Sequence, residues 1–301
     1  LITGAEYGSV PSPLGSAAPM GTGKTVISSM KRIPGIILVP VLLLTACTTA
    51  PYTQRSQLML ISLGEENQLG AQAFQQILSK EKVSHDPVLQ AVVDRIGSRV
   101  ANAARRPDFQ WQFVVVDNPK TANAFALPGG KVAVYTGMFP VAKTEGGLAA
   151  VMAHEVAHVL ARHGGERLSH GLLAQMGAVA VQAGMAGRDP GVVQGVMTAY
   201  GLGANVGVLL PYGRLQESEA DRIGLVLMAQ AGYDPREAVQ LWQRMGEQDR
   251  QAPPEFLSTH PSPRTRIQDL QGLMPNALTY YRPSPDQIAE STRLLPGLSI
   301  R

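Results

Sequence analysis

The chain has 301 residues, 45% of them hydrophobic and 16% charged, enough to bury one sizeable core and too apolar for wholesale disorder. Its net charge of +3 owes much to the amino-terminal end, where Lys24, Lys31 and Arg32 stand against Glu6 before Cys47; the remainder is nearly neutral, which excludes a basic surface for nucleic acid. A single cysteine, Cys47, excludes an internal disulfide and a cysteine-rich zinc module.

Residues 1–29 are rich in Gly, Ser and Pro and lack periodicity, and are expected to be translated upstream sequence. Ala18 to Thr25 fits a relaxed phosphate-binding loop, but no apolar strand precedes it, so nucleotide binding is rejected. Met30-Lys31-Arg32 then introduces an uncharged apolar run, Ile36 to Leu44. That run is shorter than a bilayer-spanning helix and reads as a secretory signal. Its ending, Leu44-Thr45-Ala46-Cys47, resembles a bacterial lipobox, which implies a signal peptide over 30–47 and acylation of Cys47. Thr48 is not the Asp that commonly retains lipoproteins at the inner membrane, so the resemblance favours the outer one.

From Gln57 to Arg105 apolar residues recur at three-to-four spacing, predicting helices, the second opened by Pro87. Trp111 to Val116 reads as a strand. Asn123 to Gly137 reads as a hairpin turning at Pro128-Gly129-Gly130. A helix over about 148–162 is expected to close at Gly164-Gly165. The charge-poor stretch 167–210 predicts two helices broken at Arg188-Asp189-Pro190, forming hairpin core or a lid, with a surface that meets membrane or partner as the next reading. Further helices are expected over 215–231, from Pro235 to Met245, and briefly after His260. Residues 276–301 form a Pro-rich tail expected to attach loosely. The folded body, 48–275, is thus α+β and mostly helical, with a small sheet beside the helix over 148–162.

In helix 148–162, His154 and His158 project from one face and Glu155 lies about 100° around it. Zinc that activates water takes three protein ligands and an open position, with a carboxylate nearby to accept the proton. His154-Glu155-Val156-Ala157-His158 supplies two ligands and that base. Ala161 and Gly164 stand where a metzincin would need glycine and histidine, and His163 is read as pointing off the ligand face. The third ligand is sought in Glu217-Ser218-Glu219-Ala220-Asp221: Glu217 could ligate while Asp221 holds a metal-bound histidine. The competing reading is an ordinary solvated acidic face, to which Glu219 is assigned.

Four motifs occur together: His154 to His158, Glu217 to Gly224, Asn123 to Gly130, and Ser258 to Arg266. In that combination the chain resembles the HtpX/BepA family of gluzincin metallopeptidases from about Gly64 to Leu273. The transmembrane helices of HtpX and the carboxy-terminal repeats of BepA are not seen, so the nearest type is a short periplasmic lipoprotein. The resemblance implies a zincin-like α+β metalloprotease domain, its small sheet beside the active-site helix, and one zinc ion per chain held by His154, His158 and Glu217, with Glu155 as base and acid. It places His260 near the metal, as a fourth ligand or an aid to the transition state, and pairs Arg266 with an acidic site residue. Asn123 and the strand Lys131, Val132, Ala133, Val134 and Tyr135 are expected to bind substrate backbone as an added strand. The activity implied is cleavage of unfolded or misassembled envelope proteins at the outer membrane, in contact with its assembly machinery. The alternative is a non-hydrolytic chaperone or adaptor with a latched metal site.

Overall fold

The computed structural model describes residues 47–50, 52–204, 210–248, 256, 260 and 263–297. The apolar leader and the phosphate-loop-like segment lie outside the described residues.

The chain enters through a short antiparallel pair, β1 (Cys47–Thr49) and β2 (Ser56–Leu58). This corrects the expectation of helix from Gln57: Gln57 and Met59 are buried while Ser56 and Leu60 are exposed, a period of two rather than 3.6. Helix α1 (Leu63–Leu78) starts at Ser62, whose hydroxyl accepts from the Glu65 amide while Glu65 accepts from the Ser62 amide, a reciprocal cap. Asp86 caps α2 (Pro87–Ala104), with Pro87 in the first turn where its missing N–H costs nothing.

The main sheet has the order β3-β5-β4, from β3 (Gln112–Val116), β4 (Ala124–Leu127) and β5 (Lys131–Tyr135). Gly129 and Gly130 turn the β4–β5 hairpin at φ +81° and +86°, where a side chain would be strained. The topology corrects one expectation. β5 pairs with β3 on one side, in parallel, and with β4 on the other, antiparallel. Lys131 to Tyr135 therefore have both backbone edges occupied and cannot accept an added strand; β4 is the outer strand on that side.

After α3 (Met138–Ala142) comes α4 (Glu145–Leu160), in which every residue is buried. A helix apolar all round belongs at the centre of a fold. It packs against α2, β4, α7 (Leu210–Gln230) and α8 (Arg236–Gln248). Thr144 caps it, accepting from the Gly147 amide at 3.0 Å and donating to Glu237 at 2.7 Å. Helix α4 closes not at Gly164-Gly165 but at Arg162, which takes the left-handed conformation, φ 57°, ψ 33°. The next helix, α5 (His163–Gly184), starts immediately and contains both glycines. It pairs with α6 (Pro190–Ala204), in part through Tyr200 donating to the Ala174 carbonyl at 3.0 Å. This hairpin is not core: Met176 and Val179 are each 62% exposed and Val192 is 53% exposed.

Helix α9 (Pro263–Leu278) is longer than the short helix expected and runs past Pro275. The tail is not loose either. Helix α10 (Pro285–Ser291) buries Ser291, and Leu295 is buried beyond it. The Glu145 amide donates to Arg293 and the Leu295 amide to Lys143, which ties the tail to the start of α4.

Candidate metal centre

Three elements carry the site. His154, Glu155 and His158 lie on the second half of α4; Glu217, Glu219 and Asp221 lie on α7; Arg266 lies on α9. His260 precedes α9. Gly224 sets the spacing of α4 and α7, because a Cβ there would stand 3.0 Å from the His154 Cα.

One ligand atom each from His154, His158, Glu217 and His260 lies within 4.8 Å of the others, and all four residues are buried. The Nε2 atoms of His154 and His158 are 3.1 Å apart. Each is 3.3 Å from a Glu217 oxygen, Oε2 for His154 and Oε1 for His158. His260 Nδ1 stands 2.7 Å from Glu217 Oε2 and 3.3 Å from His154 Nε2. Two imidazoles, a carboxylate and a third imidazole converging at this range are donor types that suit a zinc ion. Glu155, also buried, has Oε1 3.3 Å from His260 Nε2 but without a hydrogen-bond partner. A buried carboxylate oxygen held beside a metal-sized cluster suits a residue that works on a bound water.

The surroundings orient these donors. Arg266 donates through Nε to Asp221 at 2.7 Å and through Nη1 to Glu217 at 3.0 Å, with its guanidinium 3.7 Å over the Trp242 ring. Asp221 Oδ1 is 3.1 Å from His154 Nδ1, so a proton on Nδ1 leaves the Nε2 lone pair facing the cluster. His260 stacks on Phe256 at 4.3 Å, and its amide donates to the Phe256 carbonyl. Glu217, Asp221 and Arg266 line an adjoining cleft of about 380 Å³.

Burial pushes the Glu217 carboxyl up, but hydrogen bonds from His154, His158 and His260 outweigh it and hold the group well below the usual carboxylate range. Burial and Arg266 push His154 down, yet Asp221 and Glu217 prevail and carry it up to about 9. The metal-free ring is then a cation between two carboxylates, and metal entry releases its Nε2 proton. Burial drives His158 well down, leaving it neutral.

The structure thus brings together His154, Glu155, His158, Glu217, Asp221, His260 and Arg266. Asn123 sits at the head of β4, where its side chain accepts from the Ala124 amide at 2.9 Å. His163 stays off the donor cluster, as expected, and meets His158 from behind, with Nδ1 to Nδ1 at 2.8 Å, following the left-handed Arg162. One expectation is corrected. Glu219 is buried rather than solvated, 3.0 Å from His163 Nε2 and bonded by Thr53 and Arg55. The five-residue spacing of His158 and His163, with Glu219 midway between Glu217 and Asp221, was the available signal. It is hidden until the helix break is known.

The model of peptidase family M48 matches residues 87–274, which holds every one of these motifs. The chain belongs to peptidase family M48. Membership assigns it to the zinc metallopeptidases, and the buried His-His-Glu-His cluster fits one such ion. Among its relatives is a mitochondrial metalloendopeptidase, OMA1, of Schizosaccharomyces pombe, 36% identical over 233 residues, covering 75% of this chain and 66% of that protein. A putative beta-barrel assembly-enhancing protease of Vibrio cholerae is 32% identical over 69% of this chain and 44% of its own length. The beta-barrel assembly-enhancing protease of Escherichia coli O157:H7 is 30% identical over 76% and 47%. The chain therefore spans about two thirds of the yeast relative and under half of the bacterial ones.

Proposed function

We propose that the chain is an endopeptidase of the bacterial envelope that hydrolyses extended segments of unfolded or misassembled proteins, anchored to the outer membrane through an acylated Cys47. The observation that carries the catalytic part is the buried convergence of His154, His158, Glu217 and His260 beside an unpartnered Glu155 oxygen. The envelope is supported by the names of the bacterial relatives and by the lipobox-like ending at Cys47. An association with outer-membrane assembly machinery draws on the same names.

In this reading His154, His158 and Glu217 hold the zinc ion. When bound, it supplies Lewis acidity that brings the pKa of a water toward neutrality and polarises a carbonyl oxygen. Glu155 accepts the proton of the attacking water and passes it to the leaving amine, a shuttle typically worth about 10²–10⁴ in rate. Asp221 fixes the His154 ring, and Arg266 holds Asp221 and Glu217 together. Substrate backbone is expected along β4, from Asn123 to Leu127, as an added strand that reads main chain more than side chains.

A second reading has one observation in its favour. His260 fills the fourth donor position in the described arrangement, which suits a latched resting state. His260 would then swing out to admit water and substrate, or stay in place in a chaperone-like protein. Cleavage of casein by the full-length chain, abolished by a zinc chelator and restored by added zinc, is the result expected of the enzyme. Client binding without cleavage in both wild type and His260→Ala would favour the chaperone.

A further inference from the structure

Behind His158, away from the other donors, runs a line of buried polar groups that the proposed mechanism does not use. His158 Nδ1 meets His163 Nδ1 at 2.8 Å, and His163 Nε2 meets Glu219 Oε2 at 3.0 Å. His163 is fully buried and Glu219 is 6% exposed. The outer end of the line is held by the segment between β1 and β2: the Thr53 hydroxyl donates to Glu219, and Arg55 donates to it through Nε at 2.9 Å. The same guanidinium forks onto Glu166 with two bonds of 2.7 Å, and Glu166 also accepts from Gln216 at 2.7 Å.

Proton bookkeeping along this line has one consistent solution. A carboxylate accepts and does not donate, so Glu219 requires the His163 proton on Nε2. The Nδ1 of a neutral His163 is then an acceptor, and the proton between the two rings belongs to His158 Nδ1. His158 Nε2 is left as a bare lone pair, 3.1 Å from His154 Nε2 and pointing into the donor cluster. His154 receives the same service from Asp221, two residues further along α7. Both metal-facing histidines are therefore set from behind by carboxylates of α7, one directly and one through an intervening imidazole.

We propose that His163 and Glu219 are positioning residues that fix the tautomer and ring orientation of His158 for zinc, with Arg55 and Thr53 holding the outer end of the relay. The inference rests on the reading of His158 as a ligand. It links the metal centre to the first strands after Cys47, because loss of the Arg55 contacts frees Glu219 to turn away from His163.

The test is the zinc dissociation constant of the full-length chain, measured by competition with a chelating dye, alongside the melting temperature of each metal-free protein. His163→Leu is expected to weaken zinc roughly 10–100-fold, the usual cost of losing a group that orients a ligand. His163→Gln is expected to stay within about threefold of wild type, because its amide can accept from His158 Nδ1 and donate to Glu219. Glu219→Leu should weaken zinc about tenfold, and Arg55→Met by less. If His163→Leu fails to fold, the His163→Gln and Glu219→Leu values decide. Zinc affinity within twofold of wild type in the folded His163→Leu or Glu219→Leu proteins would overturn the relay, as would a tenfold loss in folded His163→Gln. Wild-type affinity in His158→Ala would instead remove the ligand assignment beneath it.

Discussion

Helix α4 and the α5–α6 hairpin are both poor in charge, yet they meet opposite fates. Every residue of α4 is buried, whereas the hairpin leaves Met176, Val179 and Val192 more than half exposed. Between Arg167 and Arg214 the charges are Arg188 and Asp189 alone, both at the hairpin turn. Apolar composition thus does not decide burial; the number of elements able to pack around a helix does. Helix α4 has α2, α7, α8 and β4 around it, and its polar residues Glu145, His154 and His158 are held by partners outside the helix, while one Glu155 oxygen is left without a hydrogen bond. The hairpin rests on α4 and β2 only through the first turns of α5, where His163, Gly165, Glu166 and Ser169 are buried, and farther out its apolar side chains are exposed.

This contrast can be pressed in order of expected effect. The largest belongs to the centre of α4: His158→Ala is expected to lose stoichiometric zinc and to lower cleavage of an unfolded substrate by on the order of 10³ or more. Metal content and cleavage rate measured on one preparation check this. Next comes Arg266→Met, which takes the guanidinium away from buried Asp221 and Glu217 and leaves them only the His154 ring as a cation. Breaking a buried pair in this way costs about 3–5 kcal/mol, readable as a shift of the urea midpoint in the metal-free protein. Leu160→Ala, at a fully buried position of α4, should cost about 2–5 kcal/mol by the same readout. Smallest is Met176→Lys on the hairpin, expected to stay within about 0.5 kcal/mol of wild type. A loss comparable to that of Leu160→Ala would mean that the hairpin surface is covered in solution.

Much of the site was legible because its chemistry is written in short helical spacings. His154, Glu155 and His158 fall where a single helix places them, and Glu217 with Asp221 one turn apart completes the pattern on α7. What was not legible depends on events that spacing does not encode. A left-handed arginine at 162 reverses the chain and returns His163 to His158. The segment between β1 and β2 reaches Glu219 through Thr53 and Arg55 and makes a buried partner of what reads as a solvated acid. Sheet order belongs to the same class: the β4–β5 hairpin is plain in Pro128-Gly129-Gly130, but only the parallel pairing with β3 shows that β5 is central and β4 outermost. The prolines of the tail suggest looseness, yet Glu145 and Leu295 anchor it through backbone bonds.

In the proposed mechanism Glu155 moves the proton while its neighbours hold the metal. Glu155→Gln keeps the size of the side chain and removes its basicity. Zinc content and casein cleavage, measured together on wild type and Glu155→Gln, therefore separate the two roles. One zinc ion per chain is expected in both proteins, with a cleavage rate lower by about 10²–10⁴ in the variant. A Glu155→Gln protein that binds zinc and cleaves at the wild-type rate would contradict it.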